Sequence, residues 1–281
     1  MNTAALFDLK HDDSATSPID QFIENTLRLN KMWVGNTATT SLEQELGILL
    51  ILGYVSAVES FMRALIRRVL TVDPYSQSQC ETYTLSYAAA NHHRSEMLPE
   101  ALLEEQMFSG KKGIRDGLRK FLDLELKENV IVELLEQYGQ VCELRHCCVH
   151  RFGKLGTKNA VELGLDRHKN FLEKPIRLTT SDMESIADLL FVLVKSINNE
   201  VFRFLLDRSV KRPMKGETSL GLGWTWNKAR DRKRYRAYYS IFASERDASP
   251  SPSADELYER FRTSFRQVGR RKAKKLNGGR A

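Results

Sequence analysis

The run LGILLILGYVSAV, from Leu46 to Val58, limits the fold more than any other part of the chain. It is apolar on every side of a helix, so no face of it is suited to water. A bilayer span needs about 20 apolar residues, and this run has thirteen. It therefore reads as the central, buried helix of a bundle, and no membrane contact is expected. With 42% apolar and 28% charged residues among 281, the chain has the material for a sizeable core around that helix. Seven prolines and sixteen glycines are too few for a turn-rich all-β, collagenous or linker-like chain.

The other periodic segments also read as helices. Ser17 and Pro18 supply an N-cap and a first-turn proline to a helix with Ile19, Phe22, Ile23 and Leu27 on one face. Thr40 and Glu43 have capping-box spacing ahead of the central helix, which is expected from Leu42 to Leu70 and is ended by Asp73-Pro74. The polar stretch from Tyr75 to Ala101 has no clear period. A short helix is expected near Glu100–Phe108, another through Ile114, Leu118, Phe121 and Leu122, and a longer one from Asn129 to Phe152-Gly153. Ser181 and Glu184 form a second capping box before an apolar helix from Ile186 to Leu206. No alternating run is long enough to demand a sheet. The expected fold is all-α: an N-terminal helix and linker over 1–40, a bundle of four to five main helices over 41–210, and an extension over 211–281.

Charge divides the chain at the same place. Residues 1–210 hold 24 Lys+Arg against 29 Asp+Glu, whereas residues 211–281 hold 19 against 7. A mildly acidic body with a basic appendage points to a polyanion or an acidic protein as partner. The segment NKARDRKRYRAYYSIF reads as a basic helix in which Tyr235, Tyr238, Tyr239 and Phe242 are interleaved. Its cations Lys228, Arg230, Arg232, Lys233 and Arg234 are candidate contacts for an RNA backbone. The aromatics, with Trp224 and Trp226, either stack on unpaired bases or form the inward face of the helix; their helical spacing favours packing. Ser249–Ser253 is a linker, Ser253 and Glu256 cap a last helix through Tyr258, Phe261 and Phe265, and RRKAKKLNGGR is expected to trail off without order.

Chemistry concentrates in QVCELRHCCVHRFGK, at the end of the helix that begins near Asn129. His146 and His150 are four residues apart and share a helix face, with Arg145 adjacent to it. Imidazoles exchange protons near neutral pH, and a guanidinium holds a phosphate by two points and offsets charge growing on its oxygens. Two histidines and an arginine converging in this way suit phosphodiester chemistry. The bland alternative is a set of cations that favour the negative end of the helix dipole. Cys142, His146 and His150 also recur at four-residue spacing like zinc ligands, but lack C-x-x-C pairing and a fourth group. His92-His93 has no ligand partners at metal spacing. No phosphate-binding loop, dinucleotide fingerprint or serine-hydrolase elbow is present.

The segment Arg145-His146-Cys147-Cys148-Val149-His150 resembles the signature of the HEPN superfamily, whose ribonuclease members carry R-x(4–6)-H with Asn, Asp or His after the arginine. The similarity extends over the helices from about Ser41 to Arg208 and does not cover the extension. Glu59 lies where many members carry a polar residue that meets the motif; its alternative is a pair with Arg63 one turn along. The resemblance implies a metal-independent endoribonuclease in which the ribose 2′-hydroxyl attacks, leaving 2′,3′-cyclic phosphate and 5′-hydroxyl ends. It makes His150 the general base or acid, Arg145 the transition-state stabiliser and His146 the phosphate-orienting group, with Arg151 and Lys154 following the RNA backbone. It further implies a homodimer that pairs two motifs, an inhibitory or regulatory protein partner, no cofactor, and a role as toxin or effector in anti-phage or stress defence. Phe152 stands where the toxin–antitoxin branch often has a modifiable tyrosine, so control by that route is not expected. Four cysteines, two of them adjacent (Cys147 and Cys148), make a poor disulfide framework. MNTAALFDLKHDD lacks the basic and apolar regions of a secretory leader. A cytoplasmic protein is expected.

Overall fold

The computed structural model describes residues 1–35, 41–92, 97–212 and 221–277, with side chains to residue 265. Among them are twelve α-helices and no strand, so the chain is all-α. Five helices of twelve residues or more make up the body: α1 (Pro18–Asn30), α2 (Gln44–Val72), α6 (Lys111–Leu122), α7 (Asn129–Arg151) and α10 (Thr180–Lys211). Short helices link them: α3 (Pro74–Cys80), α4 (Tyr87–His92) and α5 (Leu98–Ala101) before α6, and α8 (Thr157–Glu162) and α9 (Leu165–His168) after α7. The extension forms α11 (Lys228–Phe242) and α12 (Ala254–Asn277).

The apolar run sits in α2, as its composition demands. Leu50, Ile51, Tyr54, Val55, Val58, Phe61, Met62, Leu65, Ile66 and Val69 are all buried. By length and composition the complete helix could cross a membrane; here most of its apolar surface is covered by α1, α7, α6, α10 and α11, with Leu49 left exposed. Burying a large aliphatic side chain contributes about 1.5–3 kcal/mol, so α2 supplies much of the cohesion of the bundle. Helix directions follow from three contacts. Leu42 N donates to Leu178 O (2.9 Å) just before α2 and α10, and Arg208 meets Asp73 where those two helices end, so they run parallel. Ile48 packs against Gly153, so the start of α2 meets the end of α7, which runs antiparallel to both.

Several local expectations need correction. Helix α2 begins at Gln44, with Glu43 as an N-cap that makes no side-chain cap bond; Thr40 lies outside the described residues. The capping box of α10 is Thr179 with Asp182, two residues ahead of the expected Ser181 and Glu184. Both pairs have the required spacing, and the chain uses the one whose helix start lets Leu178 pair with Leu42. No helix covers Glu100–Phe108: α5 ends at Ala101, and the Arg63 guanidinium takes the Leu103 (2.8 Å) and Gln106 (2.9 Å) carbonyls that a helix would have used internally. The chain end does not trail off from Arg270, because the α12 backbone is helical to Asn277.

The extension packs on the bundle through its aromatics. Tyr235, Tyr238, Phe242 and Trp224 are buried, and Phe261 lies among the rings of Trp224, Trp226, Tyr235, Tyr258 and Phe265. Trp224 Nε1 donates to Ser209 Oγ (2.9 Å), and Asn198 Nδ2 donates to the Phe242 carbonyl (2.9 Å). Asp20 of α1 accepts from Ser244 Oγ (2.5 Å) and from the Glu245 and Arg246 amides.

Asp73 is the point where these elements meet. It ends α2, and its Oδ2 caps α3 through Ser76 N (2.7 Å) and accepts from Arg208 (2.6 Å). Its Oδ1 accepts from Tyr238 of α11 (2.8 Å). Arg208 also donates to Ser76 Oγ (3.0 Å) and to the Leu122 carbonyl at the end of α6. Removing one partner from a buried, hydrogen-bonded charge pair typically costs about 3–5 kcal/mol. Asp73→Ala is expected to lower unfolding free energy by about that amount in urea titration, and Tyr238→Phe by about 1–3 kcal/mol. A loss below about 1 kcal/mol for Asp73→Ala would show that the cluster behaves as a surface pair.

Candidate functional site

Helix α7 ends because two successive residues take positive φ, Phe152 at 49° and Gly153 at 84°. A Cβ on Gly153 would lie 3.0 Å from Ile176 Cγ2 and 3.1 Å from Ile48 Cδ1, so both space and backbone favour glycine there. Beyond it, residues 153–155 pair with 173–176: Ile176 N donates to Gly153 O (2.8 Å), Leu155 N to Lys174 O (3.0 Å), and Glu173 N to Leu155 O (3.0 Å). The last turns of α7 are thereby fixed against the start of α2.

Those turns carry the motif. The His146 and His150 rings lie 6.3 Å apart, tilted by 46°. His150 is exposed, whereas His146 and Arg145 are half-buried. His146 Nδ1 is 3.6 Å from Glu143 Oε2, which also accepts from Asn159 Nδ2 of α8 (2.8 Å). Arg145 and Glu59 both lie close enough to Cys142 and Tyr138 to act on them electrically, from opposite signs. Burial above all pushes the Cys142 thiol up to about 12; Glu59 adds to the rise, while the Tyr138 hydroxyl and Arg145 oppose it. Burial likewise raises the Tyr138 phenol, whose hydroxyl donates to Phe108 O (2.8 Å).

Glu59 does not pair with Arg63, which binds Glu100 (3.4 Å) and the two loop carbonyls instead. Glu59 is half-buried, within electrical reach of Cys142 and Tyr138, and makes no ion pair with Arg145 or another cation among the described residues. Arg151 is tied to Glu173 by an ion pair, while Lys154 is exposed and free of ion pairs among the described residues. Among the described residues no three His, Cys, Asp or Glu groups are placed to hold a metal ion. Cys142 is buried in the core, whereas His150 is exposed.

The extension's cations do not join the motif within one chain. Arg230, Lys233 and Arg234 lie where α2 ends, beside Thr71 and Val72, whereas Gly153, just past the motif, lies beside Ile48. At 1.5 Å per residue along α2, Thr71 is about 35 Å from Ile48 and about 18 Å from Glu59. Lys228 is held by Asp255 (3.0 Å), and Arg234 donates to the Leu222 carbonyl. Arg230, Arg232 and Lys233 are exposed and make no ion pair among the described residues.

Sequence reasoning missed two features. One is Glu143 with Asn159, for which the only signal was a carboxylate one turn before His146. The other is a cavity of about 280 Å³ where Ser109, Lys111 and Lys112 face Gln140, Glu143 and His146; the basic segment was visible, its position beside the motif was not. Compared with known proteins, the chain matches no family model, no curated protein and no solved structure.

A protonated, buried thiol is a poor nucleophile and metal ligand. In native protein at pH 8, Cys142→Ser is expected to leave the rate and extent of thiol labelling unchanged, with Cys142 reacting only after unfolding in urea. Loss of a fast-reacting thiol in that variant would place Cys142 at the surface.

Proposed function

We propose that the chain is a metal-independent endoribonuclease of the HEPN kind, acting in the cytoplasm as a toxin or effector in anti-phage or stress defence. The observation that carries this reading is the placement of Arg145, His146 and His150 on the last two turns of α7, with His150 open to solvent and the histidine rings 6.3 Å apart. In the proposed step a ribose 2′-oxygen attacks the adjacent phosphorus, a P–O2′ bond forms and the P–O5′ bond breaks. A base takes the 2′-hydroxyl proton and an acid returns one to the departing 5′-oxygen, so the step balances without an added reactant. His150 serves as base or acid. Arg145 holds the non-bridging oxygens through the charge change and His146 orients the phosphate; Glu59, half-buried and without an ion pair to Arg145, contributes its negative charge beside Cys142 and Tyr138.

One motif per chain supplies one exposed imidazole, and two copies supply both proton-transfer groups; the active unit of this proposal is a homodimer. Exposed Leu49, Val149 and Phe152 at the motif end of the bundle support contact with a second copy. Lys154 is the freer of the two cations next to the motif and follows the RNA strand. An inhibitory or regulatory protein restrains the enzyme until it is needed. A second reading, a HEPN-fold module that binds RNA or a protein through its extension without cleaving, is favoured by one observation: the unpaired cations of α11 lie far from the motif.

The test is incubation of purified protein with total cellular RNA in EDTA, beside Arg145→Ala and His150→Ala. Cleavage that persists in EDTA, leaves cyclic phosphates and falls by at least about 100-fold in each variant is the expected result. Cleavage abolished by EDTA, or equal in His150→Ala, overturns the proposal.

A further inference from the structure

The surface where α2 ends holds a cavity of about 510 Å³ between Thr71 and Val72, the loop through Gly223 and Thr225, and the first half of α11. Arg230, Lys233 and Arg234 line it from one helix face, at i, i+3 and i+4, and Ala237 one turn on leaves room beneath them. Its volume is within the range of small-ligand sites.

Among the described residues the charge in this cavity is not balanced. Asp231 is the single acidic lining residue among them, and it is buried and fully engaged. Its Oδ1 accepts from Thr225 N (3.1 Å) and Thr225 Oγ1 (2.9 Å), and its Oδ2 from the Tyr258 hydroxyl (2.8 Å). Two further carboxylates close to α11 are also taken up, Asp73 by Arg208 (2.6 Å) and Tyr238 (2.8 Å), and Asp255 by Lys228 (3.0 Å) and Arg236 (3.9 Å). Arg234 is held in place, donating to the Leu222 carbonyl with its guanidinium 5.4 Å from the centre of the Trp224 ring. Arg230 and Lys233 make no ion pair among the described residues. One fixed guanidinium and two unpaired cations converging in a concavity repel one another, and a bound anion of charge −2 or more relieves that repulsion. Arginine and lysine together suit phosphoryl oxygens, the first by a fork and the second as a point charge.

We propose that this cavity is a binding site for phosphoryl groups, filled by a free nucleoside triphosphate or by consecutive phosphates of an RNA strand. It lies at the opposite end of α2 from Ile48, where α7 ends, so it stands independently of the nuclease reading, and its test does not depend on cleavage.

The test is calorimetric titration of the full chain with inorganic tripolyphosphate, ATP and a twelve-nucleotide single-stranded RNA, at about 50 and 200 mM salt. It is repeated with Arg230→Ser/Lys233→Ser. Both substituted cations are exposed, so the double variant is expected to keep the wild-type Tm. The expected result is binding that weakens at least about tenfold in the double variant and weakens with salt. If ATP and tripolyphosphate bind and displace the RNA, the source is the free nucleotide; if the RNA alone binds, the source is the strand. Either outcome supports the site. Absence of binding by all three probes, or equal affinity in the double variant, overturns it.

Discussion

A carboxylate and a guanidinium with almost no access to water, Asp73 and Arg208, close one end of the bundle. Taking both out of water is costly and is tolerable only where geometry and hydrogen bonding are good. The cluster meets most of that demand: Asp73 accepts from a backbone amide, a guanidinium and a phenol, and Arg208 donates to a carboxylate, a hydroxyl and a carbonyl. Its guanidinium also lies 5.2 Å from the centre of the Tyr75 ring and 4.9 Å from that of Phe204. Arg208 Nε is left without a partner, one unsatisfied donor in an otherwise complete arrangement. Burial lowers the Arg208 pKa while Asp73 opposes that change, and burial followed by the nearby carboxylate raises the Tyr238 phenol. Because α2, α3, α6, α10 and α11 all contribute a group, their relative positions are set by polar geometry as well as by packing.

What the sequence makes legible is what local periodicity controls. The thirteen-residue apolar run of α2 has one plausible use in a helical chain, and Asp73-Pro74 and Phe152-Gly153 are visible as helix ends because proline and glycine act on the backbone itself. The choice between Thr179–Asp182 and Ser181–Glu184 is not legible, since both satisfy the same local rule and a distant pairing between Leu42 and Leu178 separates them. The loss of helix after Ala101 has the same origin. Arg63 is forty residues from the carbonyl it captures at Leu103, and no window of sequence contains both.

The candidate site divides along the same line. Arg145, His146 and His150 can be placed on one helix end from spacing alone, because 3.6 residues per turn leaves no freedom. Whether Glu59 pairs with Arg63 is a tertiary question, and the answer depends on the loop that occupies Arg63. In the extension, net charge is legible and its neutralisation is not: Lys228 and Arg234 are indistinguishable in the sequence from Arg230 and Lys233, yet the first pair is engaged and the second is open. The inward turn of Tyr235, Tyr238 and Phe242 follows from helical spacing, so packing is their first role.

The link between Tyr238 and Asp73 also orders events during synthesis. Domains fold as their segments emerge from the ribosome, N-terminal part first. Arg145 and His150 emerge well before Arg208, and Tyr238 and Ser244 later still. Until then Asp73 lacks its guanidinium and its phenol, Asp20 lacks Ser244, and the apolar side of α2 that α11 covers is open to water. A chain interrupted at any point in that interval carries the complete Arg145–His150 segment on an unfinished bundle. Completion of the bundle therefore waits on residues that follow the motif by about sixty to a hundred positions, and a product truncated within that interval is exposed to proteolysis.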